Sequence, residues 1–252
     1  MRNVAIDDYE DLPVDVLPIG RDYEPGYVLA SHAHRRAQVL YGSHGVMTLE
    51  THDGSFTVPT NRAVLIPPHV EHELHTIGAV TTWSLYIEPD AVPWWPRTCE
   101  VVEVGALLRE LLRAAHGLPL NYDVHGRDGA IIRLTMHELQ RVSPLPLQIS
   151  LPPDEPLRGL CRDYLSRPDA AITNHTWARV AAMSTRTLDR RFRDAVGVSP
   201  ASWRRSARLI AAVRMLRAGT VTETSARLGY ASPAAFTAAF TSVFGVPPSR
   251  FR

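Results

Sequence analysis

Two stretches near the end of the chain repeat one another, and they restrict its fold more than any other feature. The first, "TWARVAAMSTRTLDRRFRDAVG", starts at Thr176; the second, "VTETSARLGYASPAAFTAAFTSVFG", starts at Val221, about 46 residues later. In the first, a short helix from Trp177 to Ala182 meets a tight turn at Met183-Ser184. Ser184 is a good N-cap, because its hydroxyl can accept from an amide two or three residues on. The next helix buries Leu188, Phe192 and Ala195 at i, i+4 and i+7, which leaves Arg186, Thr187, Asp189, Arg190 and Arg193 exposed. The second copy places a helix around Val221–Arg227, a turn at Leu228-Gly229-Tyr230 and a helix from Ser232 to Phe244. Ser184, Leu188 and Phe192 then correspond to Ser232, Phe236 and Phe240, and "GVSP" at Gly197 answers "GVPP" at Gly245. Between the copies, "SWRRSARLIAAVRMLRAG" reads as a helix of about 16 residues, or ~24 Å. Two short helices joined by small residues, with a basic outer face, make a helix-turn-helix. This chain carries two in tandem.

Charge supports the same division. Residues 1–151 hold 11 Arg against 19 Asp and Glu; residues 152–169 hold 3 against 4; residues 170–252 hold 13 against 3. A near-zero net charge therefore hides an acidic module joined to a strongly basic one, the footprint of nucleic-acid binding. Ten of the eleven histidines lie before residue 143. The two cysteines, Cys99 and Cys161, form no CxxC pair, which speaks against a disulfide framework and a cysteine zinc site. No apolar run approaches the ~20 residues of a membrane span. The expectation is a cytoplasmic protein without signal peptide or membrane partner.

The tandem arrangement, with its endings "GVSP" and "LGYASPAAFTAAFTSVFGVPPSRFR", resembles the DNA-binding domain of AraC/XylS-family transcription regulators over about residues 157–252. The resemblance implies that both second helices enter successive major-groove segments of double-stranded promoter DNA. Arg186, Asp189 and Arg190 would then face base edges, arginine being the commonest reader of guanine. In the second copy the matching positions are Ala234, Ala235 and Ala238, with Thr237 beside them. Alanine can touch a thymine methyl but forms no hydrogen-bonded code, so this helix is expected to give phosphate contacts and shape fit.

The first third has the texture of strands. "AQVLYG", "VMTLET", "FTVP", "AVLIP" and "WSLYIEP" are short and rich in β-branched and aromatic residues. Asp53-Gly54 suggests a type I′ hairpin turn, and Pro67-Pro68 interrupts the next hairpin. Many short strands with tight turns suggest a sandwich or small barrel. Beyond "EPDAVPWWPRT" the period becomes helical. Val104, Leu107, Leu108, Leu111, Leu112 and Ala115 recur in one helix, and Ile131, Leu134, Thr135, Leu139 and Val142 in another. This helical hairpin (101–142) could pack on the barrel or mediate a homodimer. The prolines of "SPLPLQISLPPDEP" (143–156) disfavour helix and mark a flexible linker. The face Leu157, Leu160, Cys161, Tyr164 and Leu165 makes Cys161 a core residue. The fold class is α+β: an amino-terminal β-barrel (1–100) with a helical hairpin, then an all-α domain (157–252).

Within "GYVLASHAHRRAQVLYGSHG", Gly26 is followed after five residues by His32-Ala33-His34, after three more by Gln38, and after six more by Gly45. That spacing resembles the first cupin motif, with Gln38 in place of the usual acidic ligand. "PPHVEH" resembles the second: Pro67, then His69 where glycine is frequent, then His72 as the third histidine. His32 and His34 share one strand face, because side chains alternate. The resemblance brings Gln38 and His72 beside them. Three imidazoles and an amide oxygen suit a divalent transition metal such as nickel, zinc, iron, manganese or cobalt, among which ligand type does not choose. The neutral amide removes one negative charge and favours exchangeable occupancy. The same histidines also suit the wall of an organic-ligand pocket or a filled core. His44, His69 and His75 fit a surface or pocket rim, His52 a solvated turn, and His116, His125 and His137 the helical hairpin.

A sequence-specific transcriptional regulator responding to a small effector or metal is the reading these features support together. The alternative is a cupin metalloenzyme of oxygenase or isomerase type fused to a DNA reader. A third class, an architectural DNA binder with an inert dimerising barrel, would ignore effectors altogether.

Overall fold

A computed structural model describes residues 9, 11–216, 219–244 and 247–251. The chain divides into two compact units, residues 1–51 with 56–148, and residues 52–55 with 149–252.

The first unit is built on two long antiparallel strands, β3 (Ala37–Thr51) and β6 (His72–Ile87), paired from Ala37↔Ile87 to Thr51↔His72. Around this ribbon, β1 (Val16–Tyr23) and β2 (Val28–His32) pair with opposite ends of β6. β5 (Arg62–Ile66) pairs with β3 and with β7 (Glu100–Glu103), and β4 (Gly54–Val58) lies beside β3. The ribbon changes register between Gly42 and Val46. Gly45 permits this with φ +82°, and a Cβ there would lie 2.3 Å from the Ala79 carbonyl oxygen. Only glycine fits such a bulge. The foreseen type I′ turn at Asp53-Gly54 is not formed: Gly54 is the first residue of β4 and neither residue has positive φ. The loop instead centres on His52-Asp53.

Strand alternation gives this sheet two different faces. Val39, Tyr41, Leu85 and Ile87 turn towards the two helices α1 (Ala106–His116) and α2 (Arg127–Leu139), forming one core with Leu108, Leu112, Ala115, Ile132 and Leu139. The apolar stripe of the helical hairpin is therefore covered by its own sheet. Ile132 rather than Leu134 is buried in α2, and Leu107 (52% exposed) and Leu134 (43%) are left outside.

Segment 143–156 is extended, as its prolines dictate, but it is held on both sides rather than free. Leu145 N–H donates to Val101 O and Thr57 N–H to Leu147 O. From Ile149 on, the second unit takes over. The Trp203 indole donates to Ser150 O at 2.7 Å, Arg158 Nε to Pro152 O, and Asp154 pairs with Arg191. The short strand β8 (Gln148–Ser150) sits at the division.

The second unit is helical throughout: α3 (Leu157–Ser166), α4 (Asn174–Val180), α5 (Thr185–Val196), α6 (Pro200–Met215), α7 (Val221–Arg227) and α8 (Pro233–Phe244). Cys161 is fully buried, and desolvation pushes its thiol well above the ordinary range, as a core residue requires. Gly245 of the second ending lies outside the described residues. The two helix pairs start alike, with capping boxes at Thr173 and Thr220, and both turns pass through a left-handed residue. In the first that residue is Ala182 (φ 51°), in the second Gly229 (φ 72°). The second turn holds one additional residue, Ala231, before its cap.

A Cβ at Gly229 would meet the Ala170 Cβ at 2.3 Å as well as incur left-handed strain. Gly229→Ala should therefore destabilise the second unit by roughly 2–3 kcal/mol. Ala182→Gly should stabilise it slightly, by about 0.5 kcal/mol, after the entropy of glycine is subtracted. Chemical denaturation of the two variants reads both signs.

Candidate functional site

The DNA-facing candidate rests on α5. Ser184 caps it, its hydroxyl accepting from Thr187 N–H at 3.1 Å and lying 2.9 Å from Thr187 Oγ1. Both hydroxyls are thus engaged in holding the helix start. Leu188 and Phe192 are fully buried, and Phe192 packs within an aromatic group of Trp177, Trp203 and Tyr164. Fixing that side of the helix turns Arg186, Arg190 and Arg193 outward at i, i+4 and i+7. Arg193 Nε donates to Asp189 Oδ2 at 2.9 Å, whereas Arg186 and Arg190 make no ion pair or hydrogen bond among the described residues. Their guanidinium forks are free for an external acceptor.

Part of the basic charge of this unit is structural. Arg204 is buried over the Trp177 ring, 4.7 Å from its centroid, and donates to Asn174 Oδ1 at 2.7 Å. Arg208 donates to the Tyr164 hydroxyl and Arg214 to Leu165 O. Charge counting alone overstates what DNA can meet.

The second reading helix, α8, is capped by Ser232, whose hydroxyl accepts from Ala235 N–H at 3.1 Å. Phe236, Phe240 and Phe244 stack along its buried side, with centroids 5.6 and 4.4 Å apart. Ala234, Ala235 and Ala238 are exposed and Thr237 half-buried. No charged residue occurs among its twelve, so any phosphate contact it makes comes from hydroxyls and amides.

In the first unit, the side of the sheet facing away from α1 and α2 carries Gln38, Ser84 and Tyr86. His34 and His72 come to the same place, and all but Tyr86 of these five are nearly fully buried. His32 stands beside them, half-buried, at the end of β2. Ring centroids are 4.3 Å apart for His32 and His72, 5.2 Å for His34 and His72, and 6.2 Å for His32 and His34. Tyr86 meets His34 edge-on at 5.0 Å. The four foreseen residues are therefore brought together. Ser84 and Tyr86 join them; both could have been read from the alternation of "WSLYIEP", where they stand two apart.

Each imidazole is anchored in the same way. His32 Nδ1 donates to Ala30 O at 3.0 Å, His34 Nδ1 to Arg36 O at 2.6 Å, and His72 Nδ1 to Val70 O at 2.8 Å. A carbonyl only accepts, so the Nδ1 protons are committed and the remaining chemistry lies at Nε2. His34 Nε2 is 3.0 Å from Gln38 Oε1, and Gln38 Nε2 donates to Ser84 Oγ at 3.1 Å. A neutral His34 is equally satisfied when the amide turns over and the Ser84 hydroxyl donates to its oxygen. The loop before β6 is tied in by His69, whose N–H donates to His34 O at 2.9 Å. His69 has φ 61°, which explains why glycine is frequent at this point of the motif. Among the described residues, no three His, Cys, Asp or Glu stand so as to hold a metal ion together.

Burial lowers the His72 pKa from 6.5 to about 4; the Val70 carbonyl opposes the shift, and His32 and His34 add to it. The unfolded chain then binds a proton between these values that the folded chain does not. Stability is intact above about pH 6.5 and is lost as pH falls towards 4, by about 3 kcal/mol. Denaturation at pH 7 and pH 4.5 measures this, and His72→Gln should flatten the difference.

Comparison with known proteins accords with both halves. Residues 19–127 match the family described as AraC-like ligand binding domain, and residues 177–252 match that described as Helix-turn-helix domain. The HTH-type transcriptional regulator NimR of Escherichia coli (strain K12) is 28% identical over 221 residues, covering 87% of this chain and 81% of that regulator. Among solved structures, ToxT from Vibrio cholerae bound to an unsaturated fatty acid aligns over 94% of each chain, at 12% identity and a TM-score of 0.39. The C-terminal domain of AraT, a response regulator from Geobacillus stearothermophilus, aligns over 39% of this chain and 84% of that one, at 24% identity and a TM-score of 0.35. With a ligand-binding sheet domain ahead of two capped helix-turn-helix units, the chain belongs to the AraC family of DNA-binding transcriptional regulators.

Proposed function

We propose that a small effector bound at His32, His34, Gln38 and His72 sets the affinity of this regulator for promoter DNA. The observation that carries this is the common anchoring of three clustered imidazoles through Nδ1, which turns their Nε2 atoms to one polar patch shared with Gln38 and Ser84. An Nε2 atom that carries no proton accepts a hydrogen bond, so the effector class is a small organic molecule bearing N–H or O–H donors. Depressed basicity at His72 keeps that acceptor neutral near pH 7.

A divalent transition metal is the second reading, favoured by the carbonyl-bound Nδ1 atoms, since metal-liganding histidines orient themselves in this way. It would require the rings to regroup, and Gln38 to leave His34 or Ser84. Catalysis is the weaker alternative, because the relative that matches most of the chain is a transcriptional regulator.

In this proposal two chains associate through the outer side of α1 and α2, where Leu107 and Leu134 are exposed, and the dimer engages two promoter elements in the cytoplasm. An effector changes DNA affinity only if it binds one arrangement of the protein better than another. Segment 143–156, anchored to a different unit on each side of Gln148, is the point at which that arrangement can alter.

Elemental analysis of the purified protein, with promoter-binding titrations before and after chelation, separates the readings. A metal-free protein whose DNA affinity is indifferent to chelation and to added metal, but shifts with a small organic molecule, supports the organic effector. Stoichiometric metal lost in His34→Ala supports the second reading. Turnover of a substrate by the first unit would support an enzyme instead.

A further inference from the structure

The two reading helices share a scaffold but not a surface. Each begins at a serine cap and buries an aromatic or leucine row, so positions counted from the caps can be compared. Counted from the caps, Arg186, Asp189, Arg190 and Arg193 of α5 match Ala234, Thr237, Ala238 and Thr241 of α8. Each of these four charged groups of the first helix is thus replaced by a methyl-bearing side chain on the second. The loss of charge is complete, since α8 carries none at any position. The helix has not degenerated, because its three phenylalanines are stacked and buried and its cap is made.

A face of alanine and threonine offers DNA two things. Its short side chains let the helix backbone come close to the floor of the major groove, and its methyl groups can pack on a base. The one apolar group that a base pair presents in the major groove is the 5-methyl of thymine. The geometry points to α8 as a reader of pyrimidine 5-methyl groups, with Ala234 and Ala238 as the specificity-determining contacts in a T-rich segment beside the one that α5 reads. The inference rests on the assignment of both helices to the major groove. Recognition on the two segments would then differ in kind: hydrogen bonds and charge on one, methyl packing on the other.

Uracil interference with the full-length protein tests this without altering the protein. A binding site selected from random DNA is synthesised with deoxyuridine replacing part of the thymidine, which removes only the methyl group. The bound fraction should be depleted of deoxyuridine at two or three positions of one groove segment, by about fourfold for each methyl lost. Guanine N7 methylation should interfere in the neighbouring segment, and that interference should weaken in Arg190→Ala. Ala238→Gly should abolish the uracil signal at one position and leave the guanine signal intact. Guanine interference without any uracil signal overturns the inference while leaving the DNA-reading role of α5 in place. A uracil signal confined to the α5 segment, or unaffected by Ala238→Gly, overturns it as well. Absence of both signals would remove the major-groove assignment itself.

Discussion

Replacing Arg190 by alanine should weaken binding to the promoter site by about 1–3 kcal/mol and relax base preference at one position. Arg186→Ala should act similarly at a neighbouring base. The reasoning is local. The buried Leu188 and Phe192 fix the rotation of α5, and its rigid cap at Ser184 fixes the start of the helix. Both guanidinium groups are exposed and unpaired, so they enter the complex without first breaking an internal bond. Arg193 differs because Asp189 already holds it, and its replacement should cost less. The two free arginines stand one helical turn apart, so the double variant need not equal the sum of the singles. Fluorescence anisotropy on promoter and scrambled DNA distinguishes the outcomes. A loss shared equally by all sequences would make these residues phosphate contacts.

The largest effect on stability is expected at Arg36. Its side chain is 0% exposed and meets Glu88 Oε1 at 2.6 Å, while its guanidinium also donates to Val14 O, Asp15 O and Leu12 O. Glu88 in turn holds Arg35. Arg36→Ala removes a buried charge whose partner stays behind, together with the donors of several carbonyls, and should destabilise the first unit by about 3–5 kcal/mol. Because His34 Nδ1 donates to Arg36 O, the loss should extend to the imidazole cluster. Hydrogen exchange should show faster opening of β3 in the variant. Arg36→Met, which restores volume without charge, should recover part of the loss only if the apolar surroundings rather than the ion pair dominate.

Much of the helical half was readable because its signals are local. Caps, an i, i+4 apolar row and a glycine turn each lie within a few residues, and Ser184, Ser232 and Gly229 do in the structure what their types suggest. The histidine cluster was also readable, since the cupin spacing places His32, His34 and Gln38, although β2 ends at His32 and His34 lies beyond it rather than on one strand face with it. What the sequence could not show was the direction of side-chain commitments. The three Nδ1 atoms turn to carbonyls only two residues away, a choice that residue spacing does not reveal, and the turning of Gln38 towards Ser84 depends on strands brought together from far apart. The same limit applied to the helical hairpin. An apolar stripe says that something covers it, but only tertiary contact shows that the covering is Val39, Tyr41, Leu85 and Ile87 of its own sheet. In segment 143–156 the prolines exclude helix, and its backbone bonds depend on partners far along the chain that composition does not name. At Asp53-Gly54 the strand β4 starts at the glycine itself, which leaves His52-Asp53 as the loop.

The family assignment and the free arginines of α5 together make a central claim about how this protein meets DNA: charge brings it there and the hydrogen-bonded part of the sequence is chosen by α5. Affinity of the full-length protein for its selected promoter site and for a scrambled duplex, measured across a range of salt, tests that claim most directly. Both affinities should fall steeply as salt rises, through counterion release, and the selected site should be preferred by roughly a thousandfold or more. A flat salt response, or equal affinity for the two duplexes, would contradict it.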